Sequence, residues 1–149
     1  MILTANRIAG TLRRHGYKLT PQRHAILKAI AASYHHQTPA TICQRAQTLN
    51  PSVSLVTVYR TLDILTELKL VCEVHRDGNS RSYLMRRPEE HHHHLVCSGC
   101  GRVVDFSDCD LKGLEANLSH RTGFVIETHY LEFQGRCPEC RTNVQAAPL

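Results

Sequence analysis

With 149 residues, 42% hydrophobic and 21% charged, the chain can hold one ordinary domain, or two small ones short of core unless something staples them. Seven cysteines, four of them in two Cys-x-x-Cys pairs, and eleven histidines favour metal ligation in a reducing compartment over a secreted disulfide scaffold. The net charge of +5 divides unevenly, basic over residues 1–87 and acidic over 88–149, which suggests a polyanion-binding front and a sensing or assembling back.

In chain order, Ile2, Ala5, Ile8, Ala9 and Leu12 recur at three- and four-residue spacing and predict an amphipathic helix that Gly16 ends. Thr20-Pro21 opens a second helix, to about Ala32, with a capping hydroxyl followed by a proline at the first helical position. Thr38-Pro39 repeats the device for a third helix through Ala46. After Asn50-Pro51, Ser54 caps a fourth helix, Leu55 to about Leu68. Leu55, Val58, Leu62 and Leu65 form its apolar stripe, and Thr57, Tyr59, Arg60, Thr61 and Asp63 its polar face. Two helices across a short proline-containing turn fit a helix-turn-helix whose second helix enters a major groove. A helical bundle with an ordinary polar face fits the same pattern.

The runs Leu70–His75 and Arg81–Met85, around Asp77-Gly78-Asn79-Ser80, predict a β-hairpin, and a hairpin directly after a recognition helix is the wing of a winged helix. Arg76 and Arg81 flank its tip, where phosphate would be met. Charge changes sign at Arg86-Arg87-Pro88-Glu89-Glu90, which sets a DNA-binding domain at 1–86, a hinge at 87–90 and a second domain at 91–149. In that second domain strands are expected at His93–Cys97 and Arg102–Phe106. A helix follows from Asp108 or Cys109 to His120, with Leu111, Leu114 and Leu118 as its buried face and Gly123 as its C-cap. A long strand over Phe124–Gln134 and a frayed tail from Asn143 complete the chain. The fold class is α+β: a winged helix-turn-helix, then a small α/β unit of β-β-α-β order. The N-terminus has no signal-like apolar run and no long apolar stretch occurs, so a cytoplasmic protein with no membrane partner is expected.

Cys97, Cys100, Cys137 and Cys140 satisfy the all-thiolate, tetrahedral demand of a structural Zn2+ site; a pair of redox dithiols is the alternative. The run His91-His92-His93-His94 alternates in a strand, so His91 and His93 face one way, His92 and His94 the other, and one run can feed two metal sites. A solvated polar stretch is the plainer account. A metal-dependent hydrolase would need an open coordination position and a general base, as in His-Glu-x-x-His, which does not occur. Neither cysteine pair has the strand-to-helix setting of a thioredoxin-like oxidoreductase, so no enzyme is expected.

Leu19-Thr20-Pro21-Gln22-Arg23, Thr57 to Leu62, His91 to Cys100, Val104-Asp105-Phe106, Gly123-Phe124, His129 to Glu132 and Cys137 to Cys140, in collinear order, resemble the ferric uptake regulator superfamily. The resemblance implies a homodimer, joined through the C-terminal domain, on a palindromic double-stranded DNA operator. It also implies DNA affinity set by a divalent metal, with no small-molecule substrate. Tyr59 and Arg60, with Thr57 on the same helix, would read the groove and Lys18 would reach the backbone or the minor groove. A regulatory hinge site would draw on His36, Cys72, His92, His94 and Asp105, His35 being nearly as good as His36 by spacing. A second site would use His91, His93 and His129 with a carboxylate, here Glu115, because Lys112 stands where the acid is usual.

The metal sensed turns on three departures. Tyr83 replaces the wing carboxylate of iron and peroxide sensors, and Cys72 stands where zinc sensors place a hinge ligand, which makes a softer donor set. Asp105 is the choice of the peroxide-sensing branch, and Arg86 stands where zinc sensors carry a further cysteine. The expectation is therefore a zinc-responsive repressor with Zn2+ in both structural and regulatory roles. The alternative is an Fe2+ or Mn2+ sensor, including the peroxide-sensing kind. Cys109 is open between ligand, redox-sensitive thiol and packing, with packing placed first; Cys43 is read as core, and His120 has no assigned partner.

Overall fold

The computed structural model describes residues 4–76, 80–86 and 91–145, without the side chains of Arg76 and residues 143–145. The turn expected over 77–80, apart from Ser80, the hinge expected at 87–90, Ile2 and the last four residues lie outside the described residues. The chain divides into two units, Met1–Glu89 and Glu90–Leu149.

The first unit holds helices α1 (Ala5–Arg14), α2 (Pro21–Ala31), α3 (Pro39–Leu49) and α4 (Leu55–Glu67). Each starts on a hydroxyl: Thr4, Thr20, Thr38 and Ser54 accept the N–H groups of Arg7, Arg23, Thr41 and Thr57, worth about 1 kcal/mol per cap. Gly16, at φ +81°, turns the chain after α1 in a conformation that other residues resist. Ile8, Leu12, Ile26, Leu27, Ile30, Ile42, Val58 and Leu65 are wholly buried, and Cys43 packs with them as expected. Between α3 and α4, Asn50 Oδ1 accepts the Ser52 N–H at 3.0 Å, and the Gln47 amide donates to the carbonyl of buried Val53 at 2.8 Å, which fixes the turn.

α4 differs from expectation at two residues, Thr61 and Leu55. Thr61 is buried rather than DNA-facing, its hydroxyl donating to the Thr57 carbonyl at 2.8 Å, because 58, 61, 62 and 65 form one continuous row at helical spacing. Leu55, at the helix start, lies beyond the row's cover and is 43% exposed.

The wing is an antiparallel pair, β1 (Val71–Arg76) and β2 (Ser80–Met85), with Cys72 opposite Leu84 and Glu73 opposite Tyr83. Arg81 engages Glu73 at 3.0 Å. Gln37 and Tyr83 exchange two backbone hydrogen bonds of 2.8 Å, which ties the α2–α3 loop, with His36 in it, to the wing.

The second unit contains β3 (His93–Cys97), β4 (Val103–Phe106), α5 (Lys112–Thr122), β5 (Glu132–Gly135) and α6 (Pro138–Gln145). The sheet order is β4-β3-β5, antiparallel between β3 and β4 and parallel between β3 and β5. Gly123 caps α5 in the left-handed region, as expected.

Four expectations fail here, each for a physical reason. α5 begins at Lys112, so Cys109 sits in the preceding loop and not on the helix. The long strand shrinks to Glu132–Gly135, because only from His94 onward does β3 offer an edge to pair with, and alternation alone makes no ladder. The Leu face of α5 is not buried: Leu114 is 56% exposed and Leu118 39%, since periodicity marks a face to be covered but not what covers it. Finally, the tail past Cys140 is helical to Gln145, starting from Pro138 at a position where proline costs nothing.

Candidate metal centres and nucleic-acid interface

The four cysteine sulfurs converge, all within 4.8 Å of one another, with Cys100 Sγ and Cys137 Sγ 3.8 Å apart. Two tight turns bring them together. The Cys100 and Cys137 N–H groups donate to Cys97 Sγ at 3.5 and 3.3 Å, and the Cys140 N–H donates to Cys137 Sγ at 3.5 Å. Those amides, Cys100 first and Cys137 second, draw the Cys97 thiol down to about 6, while hydrogen bonding to Cys137 and then Cys97 pushes Cys140 up to about 12. Four thiolates this close need a cation, and the sulfur–sulfur spacing matches the roughly 3.8 Å edge of a tetrahedron with Zn–S near 2.3 Å. The donor set fits Zn2+.

Gly99 makes the approach possible, since a Cβ there would lie 2.8 Å from Cys140 Sγ and 2.9 Å from its Cβ. Gly99→Ala is therefore expected to speed zinc loss to a competing chelator by about tenfold or more, the scale on which supporting residues tune metal sites. Unchanged zinc retention would show that the turn has room to shift.

The histidine run alternates as the strand requires. On one side His94 Nδ1 lies 2.9 Å from Asp105 Oδ1, and the His92 and His94 rings are 5.1 Å apart. His36 and Cys72 belong to the other unit, each half-buried, Cys72 on β1 and His36 beside the Gln37–Tyr83 bridge. Tyr83 itself is buried, and burial first, then the charge of Glu73, holds its hydroxyl above its usual value, so it offers no ready anionic oxygen.

On the other side, His91, His93, His129 and Cys109 present four donor atoms within 4.8 Å of one another. Cys109 Sγ is 3.1 Å from His91 Nε2 and 3.4 Å from His129 Nε2, and His129 Nε2 is 3.3 Å from His93 Nε2. Burial, then the neighbouring His91 and His129, lowers the His93 pKa and favours neutral imidazole, the ligating form. This corrects two expectations. Glu115 is not in the cluster but behind it, its Oε1 2.6 Å from His129 Nδ1, and Cys109 is in the cluster, not packing. The sequence signal was the order of residues: Cys109 precedes a helix start that lies later than its pattern suggested.

On α4, Val56, Tyr59, Arg60 and Asp63 form the solvent stripe at helical spacing, with Val56 59% and Tyr59 48% exposed. Thr57 is half-buried, its hydroxyl 2.9 Å from Ser54 Oγ, whereas Val56, which the sequence reading passed over, stands on the exposed stripe. Lys18 is exposed, and its carbonyl accepts from the Arg23 guanidinium. Among the described residues no helix is long and apolar enough to cross a membrane.

The sequence profile of the ferric uptake regulator family matches residues 14–134. The peroxide operon regulator of Bacillus subtilis is 37% identical over 131 residues, covering 87% of this chain and 88% of that one. Among solved structures, the Campylobacter jejuni peroxide stress regulator is 29% identical with a TM-score of 0.66, over 89% of this chain and 98% of that chain. The Helicobacter pylori ferric uptake regulator Fur superposes with a TM-score of 0.78 at 22% identity, over 94% and 95% of the two chains, a likeness of fold.

Proposed function

From the premise that the chain belongs to the ferric uptake regulator family, we propose that it is a cytoplasmic, metal-dependent transcriptional repressor whose DNA binding is relieved by peroxide. It is a transcription regulator and not an enzyme. The observation that carries the peroxide reading is the 37% identity, over most of both chains, to a protein named for the peroxide operon. That reverses the order expected from sequence, in which zinc sensing stood first. Asp105 against His94 supports the change, because a carboxylate beside two imidazoles suits Fe2+ or Mn2+ as well as zinc.

In this reading the protein acts as a homodimer on a palindromic operator. The uncovered apolar residues of the C-terminal unit, Leu114, Leu118, Phe124, Val125 and Tyr130, suit such an association. Tyr59, Arg60, Thr57 and Lys18 are the proposed DNA contacts. His92, His94 and Asp105 are the regulatory ligands proposed from the C-terminal unit, with His36 and Cys72 assigned by family resemblance from the N-terminal one. Metal there biases a pre-existing arrangement of the two DNA-binding units rather than making a new fold. Cys72 specifically favours a second reading, zinc as co-repressor, because a thiolate with two imidazoles is a soft set.

A duplex selected by the protein from a randomised pool, titrated anaerobically with Fe2+, Mn2+ and Zn2+, separates the two. Fe2+ or Mn2+ is expected to raise DNA affinity about 5- to 150-fold, the usual range of allosteric coupling. Hydrogen peroxide should abolish the Fe2+ response and spare the Mn2+ one. Activation by Zn2+ alone, beyond the equivalent held by the four cysteines and lost in Cys72→Ala, would establish the zinc reading instead.

A further inference from the structure

We infer that Cys109 is the fourth ligand of a closed thiolate–tris-imidazole metal site in the C-terminal unit, formed with His91, His93 and His129, and that Glu115 serves it from outside by holding the His129 ring. The spacings carry this. A tetrahedral zinc ion with nitrogen ligands near 2.05 Å and sulfur near 2.3 Å sets nitrogen–nitrogen edges of about 3.3 Å and sulfur–nitrogen edges of about 3.6 Å. The structure gives 3.3 Å for His129 Nε2 to His93 Nε2, and 3.1 and 3.4 Å for the two sulfur–nitrogen contacts. Three edges of one tetrahedron are therefore already drawn.

A hydrogen-bond network explains the same contacts less well. His129 Nδ1 lies 2.6 Å from Glu115 Oε1 and is thereby the protonated nitrogen, so the neutral ring's Nε2 has a lone pair and no proton. That single lone pair faces both the Cys109 sulfur and His93 Nε2, which suits convergence on one cation. His93 is 1% exposed, so its ring is buried at a cost that a metal bond at Nε2, the atom that faces His129 Nε2, would offset. The carboxylate–histidine arrangement at His129 is the usual outer support of a metal ligand.

The chemistry follows from the donor set. One thiolate and three neutral imidazoles are borderline-soft, which selects Zn2+ or Co2+ over Mg2+, Ca2+ or Mn2+. With four protein ligands the site has no open position, the closed arrangement of a structural rather than a catalytic metal. It joins β3, the β4–α5 loop and the segment before β5, elements that share little buried apolar surface.

The test does not depend on DNA binding, so its failure is distinct from failure of the repressor reading. Full-length protein carrying Cys72→Ser and its four-cysteine zinc is titrated with Co2+. Besides Cys97, Cys100, Cys137 and Cys140, the only remaining thiols are then Cys109 and buried Cys43. Intense visible bands of tetrahedral cobalt are expected, with a near-ultraviolet sulfur-to-cobalt charge-transfer band that Cys109→Ser removes. His129→Ala should weaken binding by more than about tenfold, and Glu115→Gln by about 10- to 100-fold with the charge-transfer band kept. Loss of the tetrahedral spectrum in Glu115→Gln, with Cys109→Ser spectrally unchanged, would make Glu115 the ligand and overturn the inference. Weak octahedral bands in the parent would overturn it as well. Circular dichroism of each variant identifies any that fail to fold.

Discussion

Changing Cys137 to serine is expected to cost the C-terminal unit its fold while leaving the N-terminal unit intact. The buried apolar cluster runs from Ile8 to Met85 and lies wholly in the first unit. In the second, the residues described as buried are His93, Val96 and Cys97. Fully burying a side chain such as Val96 contributes about 1.5–3 kcal/mol, which cannot offset the ordering of the segments around it. A structural zinc site contributes an apparent 10–16 kcal/mol or so near neutral pH, and this is folding free energy where no site exists in the unfolded chain. Zinc loss should therefore leave a single transition on heating, that of the first unit, with the transition of the metal-held second unit gone. It should also lower the zinc content and dissociate the dimer by sedimentation. A zinc-free variant that kept a dimeric, protease-resistant second unit would show that something other than the four cysteines holds it.

How much of this was legible beforehand depended on whether a signal was local. The four hydroxyl caps, at Thr4, Thr20, Thr38 and Ser54, act within one turn, and three of them were readable as Thr-Pro or as Ser before an apolar row. Strand alternation sorted His91 and His93 from His92 and His94 for the same reason. The misreadings are tertiary. Leu114 and Leu118 promised burial that a single chain does not provide, and Phe124–Gln134 promised a strand for which β3 has too little edge. Helical spacing from Lys112 points to Glu115, and spacing along one helix does not show that its carboxylate meets His129 Nδ1 while the Cys109 sulfur, in the loop before the helix, meets the other nitrogen of the same ring.

In the first unit, Arg60→Ala is expected to erase sequence discrimination without unfolding anything. Arg60 lies on the exposed stripe of α4, while Val58, Thr61, Leu62 and Leu65 anchor the helix from behind, so truncation leaves the packing untouched. A guanidinium forking onto a guanine edge is worth roughly 1–3 kcal/mol of discrimination. A homodimer on a palindrome repeats the contact, so the selected duplex should lose about 2–6 kcal/mol, roughly 30-fold to more than 10,000-fold, relative to a scrambled one. Lys18→Ala is the contrasting control: a phosphate contact lowers affinity for both duplexes alike and flattens the salt dependence by about one unit per contact. Fluorescence anisotropy on the two duplexes at several salt concentrations reads both effects. Arg60→Ala that still preferred the selected duplex as strongly as the parent would mean that α4 does not read the bases. The net positive charge of the first unit would then reflect only its attraction to the DNA backbone.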